Sequence, residues 1–182
     1  MAEFSKAFAN VIELEGGFVD HPNDPGGATN FGISLRFLKA TNDLELGDMD
    51  GNGTIDFKDI KLMTIQDAAR LYKKYFWDAY NYVAITNQAV ANKIFDMCVN
   101  MGANQAHKLL QSAINSTLGQ LAIKSDGILG PKTGEAMSLA MQEPYALLVA
   151  LRSHQEGFYK ILVKQNSKFV AFKEGWLKRA LS

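Results

Sequence analysis

The sequence has little cysteine and no excess of basic residues, and each absence excludes a class of protein. Its 182 residues include one cysteine, Cys98, so no internal disulfide can form, and we expect Cys98 to be a small buried residue. Nineteen basic and nineteen acidic residues cancel, so the basic balance typical of nucleic-acid-binding proteins is missing and we expect no nucleic-acid partner. The hydrophobic content of 47% is sufficient for a well-packed core.

Marks of export and membrane insertion are also missing. Residues 1–17 have no cationic start followed by an unbroken apolar run, and no later segment reaches the length of a membrane span. We therefore expect a soluble chain that is made in the cytoplasm without a signal peptide.

Alternating strand patterns are nearly absent, whereas helical periodicity recurs along the chain. The predicted helices cover residues 4–15, 34–40, 90–100, 104–115, 131–141, 145–164 and 176–181, and one more begins in a capping box at residues 64–67. Between them, residues 18–33 are rich in Pro, Gly, Asn and Asp, which predicts a turn-rich loop or a short irregular hairpin. The sequence therefore predicts an all-α or nearly all-α fold, without a linker long enough to separate two independent domains.

The stretch ELEGGFVDHPNDPGGAT, residues 13–29, contains four acidic residues that differ in their helical phase. At about 100° per residue, Glu15 falls within roughly 20° of Phe4, whereas Glu13 falls on the opposite face. An apolar environment and the negative end of the helix dipole both favour the protonated form of Glu15, as a general acid requires. The alternative is a boundary glutamate that reaches solvent or pairs with Arg36.

Two segments of the chain resemble a known family. Glu15-Gly-Gly-Phe, followed by the ten residues 24–33, DPGGATNFGI, resembles the signature of the glycoside hydrolase 108 muramidases, phage and prophage endolysins that are similar to T4-type lysozymes. Asn100-Met-Gly-Ala and DGILGPKT, residues 126–133, resemble the peptidoglycan-binding half that follows in this family. The resemblance implies a lysozyme-like catalytic region over residues 1–88 and a helical peptidoglycan-binding region over residues 89–182, packed as one compact unit.

The resemblance also implies an activity, the hydrolysis of the β-1,4 bond between N-acetylmuramic acid and N-acetylglucosamine, which lyses bacteria. Glu15 matches the general acid, Asp24 the second carboxylate and Thr29 a hydroxyl that positions water. We expect the two carboxyl groups to be about 6.5–9.5 Å apart, the separation of inverting glycosidases. A non-catalytic peptidoglycan-binding or secretion-assisting protein and a lytic transglycosylase are the alternatives.

Other residues of these motifs are candidates for contacts with substrate. Asp20 and His21 either line the sugar groove or are only turn residues. Asp126 and Thr133 either bind peptidoglycan or only form a turn before a helix that begins with proline. Three scattered histidines give no short-range ligand pair, which disfavours a zinc amidase or endopeptidase.

The acidic segment of residues 48–59 has the spacing of a calcium-binding loop. It matches the EF-hand loop, with glycine at loop position six, except that aspartate replaces the usual glutamate at position twelve. The predicted ligands are Asp48, Asp50, Asn52, Thr54 through its carbonyl, Asp56 and Asp59. A poor entering helix and the lack of a second loop favour a dockerin-like half-hand that binds one structural Ca²⁺ rather than a calcium sensor.

The remaining expectations concern partners and location. Residues 152–182 carry seven basic and two acidic residues, which either form a solvated helix face or favour approach to anionic envelopes. We expect a monomer that acts on the cell wall of the host bacterium. Release into the periplasm would need a holin or a similar partner.

Overall fold

The computed structural model describes residues 1–14, 16–20 and 27–182. Over these residues the chain is mainly helical, with one two-stranded sheet, which confirms the predicted fold class. The strands are β1 (Thr29–Asn30) and β2 (Ile33–Ser34). The α-helices are α1 (Phe4–Leu14), α2 (Leu35–Thr41), α3 (Leu44–Gly47), α4 (Phe57–Leu62), α5 (Ile65–Tyr72), α6 (Gln88–Met101), α7 (Ala103–Leu118), α8 (Pro131–Ala140), α9 (Pro144–Gln165) and α10 (Lys173–Leu181).

The chain divides into two compact units, one formed by residues 4–79 and the other by residues 1–3 and 80–182. The first unit contains α1–α5 and the sheet, and the second contains α6–α10. No helix among the described residues is both long and apolar enough to cross a bilayer. The predicted assignment of residues 1–88 and 89–182 to two functional regions stays a prediction.

Helix α1 buries one face in the first unit. Ala7 and Val11 are fully buried, and the Phe8 ring lies 5.8 Å from the Tyr72 ring of α5. Glu13 is exposed, as its helical phase predicts. The apolar stripe of α1 therefore faces the core up to the last turn before residue 15.

Helix α5 begins at the predicted capping box. Thr64 accepts a hydrogen bond from the Asp67 N–H, and the Asp67 side chain accepts one from the Thr64 N–H. This reciprocal arrangement satisfies two N–H groups that have no partner within the helix. Beyond Tyr72 the chain continues as a π-helix over Lys73–Trp77, and both Tyr72 and Trp77 are buried. Tyr72 and Trp77 therefore belong to the core of the first unit.

The second unit is built around α9, which packs against α6, α7 and α10. Helix α6 buries eight of its fourteen residues and ends at Gly102, whose φ of 82° suits glycine. Cys98 is fully buried on α6, and burial raises the pKa of its thiol to about 11. The cysteine is therefore a core residue, as expected, and not a reactive thiol.

Two buried charged groups of α6, Asp96 and Lys93, contact the partly buried Arg179 of α10. Arg179 makes a charge-assisted contact with Asp96, with both its Nε and Nη2 atoms 2.8 Å from Oδ1. The exposed fractions of these two side chains are 12% and 7%. Lys93, which is also buried, donates a 2.7 Å hydrogen bond from Nζ to the Arg179 carbonyl. The C-terminal helix is therefore attached by buried polar contacts as well as by apolar packing.

Burial lowers the pKa of Lys93 to about 8. Between that pKa and the ordinary value of 10.5 the unfolded chain binds more protons than the folded chain, so stability rises with pH in this window. Relative to Lys93→Met, which cannot titrate, we expect the free energy of unfolding of the wild type to increase by about 2 kcal/mol from pH 8 to pH 10.5. Urea unfolding of both proteins across this range measures it, and parallel pH profiles would contradict it.

Candidate functional site

After α1, two parts of the chain in the first unit pair through their backbones. Val19 and Thr29 exchange two backbone hydrogen bonds of 2.8 Å, which join the two ends of the segment between them. Thr29 is also the first residue of β1, so the same residue belongs to the hairpin. The pairing therefore brings Thr29 and the hairpin back beside the chain that follows α1.

The hairpin of β1 and β2 has a two-residue turn. Both turn residues have positive φ, 48° at Phe31 and 77° at Gly32, which is the pattern of a type I′ turn. A phenylalanine in this region is unfavourable by itself. The Tyr72 hydroxyl donates a 3.1 Å hydrogen bond to the Phe31 carbonyl, which stabilises the turn against α5.

The side chain of Asn30 links the hairpin to α4. Its Nδ2 atom donates to the Ile60 carbonyl at 3.0 Å and to the Met63 carbonyl at 3.3 Å. These carbonyls lie at the end of α4, where a helix leaves backbone acceptors without internal partners. Asn30 is 5% exposed, so the link is buried.

The residues predicted for catalysis and for the sugar groove have different positions in this structure. Glu15, His21 and Asp24 lie outside the described residues. Thr29 is half-buried at the base of the loop, and its hydroxyl lies 3.5 Å from the Gly27 carbonyl. Asp20 is exposed directly after Val19. Thus Thr29 belongs to the Val19–Thr29 pair and Asp20 directly follows it, and the roles assigned to the five residues stay predictions.

The acidic loop brings three carboxylates together. One oxygen from each of Asp48, Asp50 and Asp59 lies within 4.8 Å of the other two. Two oxygens bound to one Ca²⁺ at 2.3–2.6 Å are at most about 5 Å apart, so this cluster has the size of a calcium coordination shell. Asp59 is fully buried although it is a carboxylate. The donor set consists of oxygens alone, which fits Ca²⁺ better than zinc.

The other predicted ligands are arranged around this cluster. Gly53 has a φ of 85°, so the loop makes its sharp turn at the predicted glycine. The Asn52 side-chain oxygen accepts a 2.9 Å hydrogen bond from the Thr54 N–H. Asp56 caps α4 by accepting from the Lys58 N–H, whereas Asp59 accepts at 2.7 Å from the Asp56 N–H. Helix α4, which the sequence reading did not predict, thus begins inside the acidic loop.

Electrostatics hold one of these acids in its charged form. Lys58 lies 3.1 Å from Asp50 and is the main reason that the pKa of this carboxyl lies below its usual range. Four acids with a single lysine leave residues 48–59 strongly negative. A divalent cation would relieve the repulsion among the three clustered carboxylates.

In the second unit, the loop between α7 and α8 is fixed by side chains of α7. The Asn115 oxygen accepts from the N–H groups of Ala122 and Ile123, both at 3.0 Å. One turn earlier, Gln111 accepts from the Gly127 N–H at 2.7 Å and donates to Asp126 at 3.0 Å. Residues 119–130 therefore form an ordered loop although they contain no regular secondary structure.

The predicted residues Asp126 and Thr133 meet at Gln111. The Gln111 amide nitrogen lies 3.0 Å from Asp126 Oδ1 and 3.2 Å from Thr133 Oγ1, and Gln111 itself is 1% exposed. Hydrogen bonds from Gln111 and from the Ile128 N–H lower the pKa of the Asp126 carboxyl. The structure thus brings Asp126 and Thr133 together around the Gln111 amide.

The buried His107 also fixes the loop of residues 119–130. The sequence did not predict this role. The Tyr82 hydroxyl lies 2.6 Å from His107 Nε2, and His107 Nδ1 lies 3.3 Å from the Gly127 carbonyl. Desolvation lowers the pKa of His107, so the neutral ring donates to Gly127 and accepts from Tyr82. Gly127 has a φ of 84°, and a Cβ there would lie 2.7 Å from the Asn104 carbonyl. Only glycine fits this turn.

Taken together, the helical architecture, the hairpin after α1 and the ordered loop before α8 define a lysozyme-like fold with a second helical region. Residues 8–102 match the family model described as Glycosyl hydrolase 108, which spans more than half of the chain. The protein belongs to the glycosyl hydrolase 108 family.

The other comparisons agree with this assignment. Residues 105–181 match the family model described as Predicted Peptidoglycan domain. The solved structure of Brucella abortus SagA is similar over 97% of this chain and 88% of that one, with 28% sequence identity and a TM-score of 0.71. No curated protein matches the sequence. The chain is thus a glycoside hydrolase whose substrate is peptidoglycan.

Proposed function

We propose that the protein is an endolysin-type N-acetylmuramidase that hydrolyses the β-1,4 bond between N-acetylmuramic acid and N-acetylglucosamine. The observation that carries this proposal is the backbone pairing of Val19 with Thr29, which brings the predicted hydroxyl of Thr29 back beside the chain that follows α1. The family supports a glycosidase, and lysozyme chemistry needs an acid and a second carboxylate on opposite sides of the bond.

In the proposed reaction, Glu15 donates its proton to the glycosidic oxygen as the bond to the sugar breaks. Asp24 accepts a proton from the attacking water, and the Thr29 hydroxyl orients that water. The buried apolar face of α1 supports the role of Glu15, because the sequence periodicity assigns Glu15 to that face and an apolar environment favours the protonated carboxyl. A water between the two carboxyl groups leads to inversion at the anomeric carbon.

Analysis of the released products tests this proposal. Mass spectrometry of muropeptides should show products that end in a reducing N-acetylmuramic acid. A terminal 1,6-anhydro sugar would identify a lytic transglycosylase, and the absence of glycan cleavage would identify a peptidoglycan-binding or secretion-assisting protein. Proton NMR of the first product formed should show the α-anomer, whereas an initial β-anomer would contradict inversion.

We also propose that the acidic loop binds one structural Ca²⁺ through Asp48, Asp50 and Asp59, with Asn52, the Thr54 carbonyl and Asp56 completing the ligand set. The cluster of oxygens within 4.8 Å supports this proposal. The bound ion would supply positive charge that neutralises the loop. The loop residues would hold the ion next to the start of α4. The Asn30 side chain attaches the end of α4 to the hairpin.

Removal of calcium should lower the melting temperature. At a free Ca²⁺ concentration about 100 times Kd, binding adds about 2.7 kcal/mol to the free energy of unfolding, which corresponds to roughly 5–10 °C for a chain of this size. Calorimetry with calcium and with a chelator measures the difference. The double variant Asp48→Asn/Asp50→Asn should lose the response, and Glu45→Gln, an exposed acid outside the loop, should keep it. Equal melting temperatures for the wild type in calcium and in chelator would exclude a stabilising site.

The proposed activity suggests a biological setting. We propose that the protein acts as a monomer on the bacterial cell wall after release from the cytoplasm, at the end of a bacteriophage infection. A holin or a similar membrane partner would provide this release. Expression in bacteria with and without a holin, followed by the fall in turbidity, tests the requirement.

A further inference from the structure

A pocket lies between the loop of residues 119–130 and the first turn of α8. We call it the α8 pocket, and its volume is about 600 Å³, within the range of small-ligand sites. Its wall includes the buried pair Gln111 and Thr133 and the exposed side chains of Lys124, Ile128 and Lys132. The pocket lies wholly in the second unit.

The α8 pocket is formed before any ligand binds. Gln111, Asn115 and His107 fix the backbone of its loop, and the Ser112 and Ser125 hydroxyls add a 2.9 Å hydrogen bond at its edge. A wall that is already ordered loses little conformational entropy when a ligand binds.

The chemistry of the wall favours a peptide over a sugar. Lys124, Lys132 and the ionised Asp126 provide charges of both signs, and Ile123 and Ile128 provide apolar surface. None of the residues that line the pocket is aromatic, whereas sugar-binding sites commonly use aromatic faces. Two neighbouring pockets beside α8, of about 210 and 560 Å³, contain no lysine.

We propose that the α8 pocket binds the peptide stem of peptidoglycan rather than its glycan strand. The stem has more carboxylates than ammonium groups, and its alanine methyl groups are small and apolar. Two lysines can pair with stem carboxylates, Asp126 can accept from the single ammonium group, and the isoleucines can contact the methyl groups. This inference rests on the proposed function, because it assumes that peptidoglycan is the polymer that the second unit holds.

Isothermal titration calorimetry with soluble ligands tests the proposal on the full chain. The probes are the N-acetylated tetrapeptide of L-Ala, γ-D-Glu, meso-diaminopimelate and D-Ala, and an oligomer of N-acetylglucosamine. We expect Lys124→Glu/Lys132→Glu to weaken tetrapeptide binding by about tenfold or more, because two attractive charge pairs become repulsive. Lys164→Glu/Lys168→Glu makes the same change of net charge at exposed positions away from the pocket and should bind like the wild type.

A second readout locates the ligand independently of affinity. In amide NMR spectra, the tetrapeptide should shift resonances of residues 122–133, and the sugar oligomer should leave them unchanged. Equal tetrapeptide affinity for the two double variants, or shifts of residues 122–133 by the sugar alone, would overturn the proposal.

The two proposals fail in different ways. Release of reducing ends from peptidoglycan without tetrapeptide binding would overturn the peptide-stem site and leave the muramidase intact. Tetrapeptide binding at residues 122–133 without release of reducing ends would overturn the muramidase and support the peptide-stem site.

Discussion

The variant Glu15→Gln should fold like the wild type and release no measurable reducing ends from purified peptidoglycan. Glutamine keeps the size of the side chain but cannot donate a proton to the leaving oxygen. Loss of general acid catalysis alone costs about 10²–10⁴-fold in rate. An assay of reducing sugar on purified sacculi measures this loss, and circular dichroism and the melting temperature check the fold.

Glu13→Gln is the matched control, because Glu13 lies two residues earlier in the sequence and is exposed on α1. It should retain wild-type activity. Full activity of Glu15→Gln, or equal losses in both variants, would show that the acid is a different residue. Comparison with Asp24→Asn and Asp20→Asn then separates the two candidate partners, since only Asp24→Asn should approach the loss seen for Glu15→Gln.

Truncation of Asp96 should produce the largest loss of stability. Asp96→Ala would remove the carboxylate that contacts the mostly buried guanidinium of Arg179, and breaking a buried ion pair costs about 3–5 kcal/mol. Asp96 Oδ2 is buried and has no hydrogen-bond partner among the described residues, so the pair depends on Oδ1. Urea unfolding monitored by tryptophan fluorescence measures the change.

Glu156→Ala provides the comparison for an exposed pair on the same unit. Glu156 contacts Lys160 at 2.6 Å one helical turn away, but the two side chains are 32% and 57% exposed. Removal of such a pair changes the free energy of unfolding by about 0.5 kcal/mol or less. Similar losses for Asp96→Ala and Glu156→Ala would contradict the idea that burial makes the Asp96–Arg179 pair important.

The sequence was sufficient for features that depend on local periodicity and on turn chemistry. The stripe of α1, the capping box at Thr64 and the proline at the start of α8 all appear where their patterns predict them. These features are set within a few residues of the chain. The turn at Gly53 likewise follows from the spacing of the acidic loop.

Features that depend on distant contacts were not predicted. Asn30 reads as one more polar residue in a loop, and only the fold shows that it bonds carbonyls thirty or more residues later. His107 reads as a scattered histidine, yet it joins Tyr82 to Gly127. Helix α4 is only six residues long, too short for periodicity to reveal, and it depends on the Asp56 cap.

The buried Asn30 amide has a thermodynamic consequence for the two proposed sites. It attaches the hairpin that carries Thr29 to the helix that leaves the acidic loop, so a displacement of one element is resisted by the other. If sugar binding moves the hairpin, sugar binding must also change the affinity of the acidic loop for calcium. By linkage, calcium binding must then change the affinity of the protein for sugar by the same factor. Titration of calcium with and without an oligosaccharide measures this reciprocity, and Asn30→Ala should abolish it.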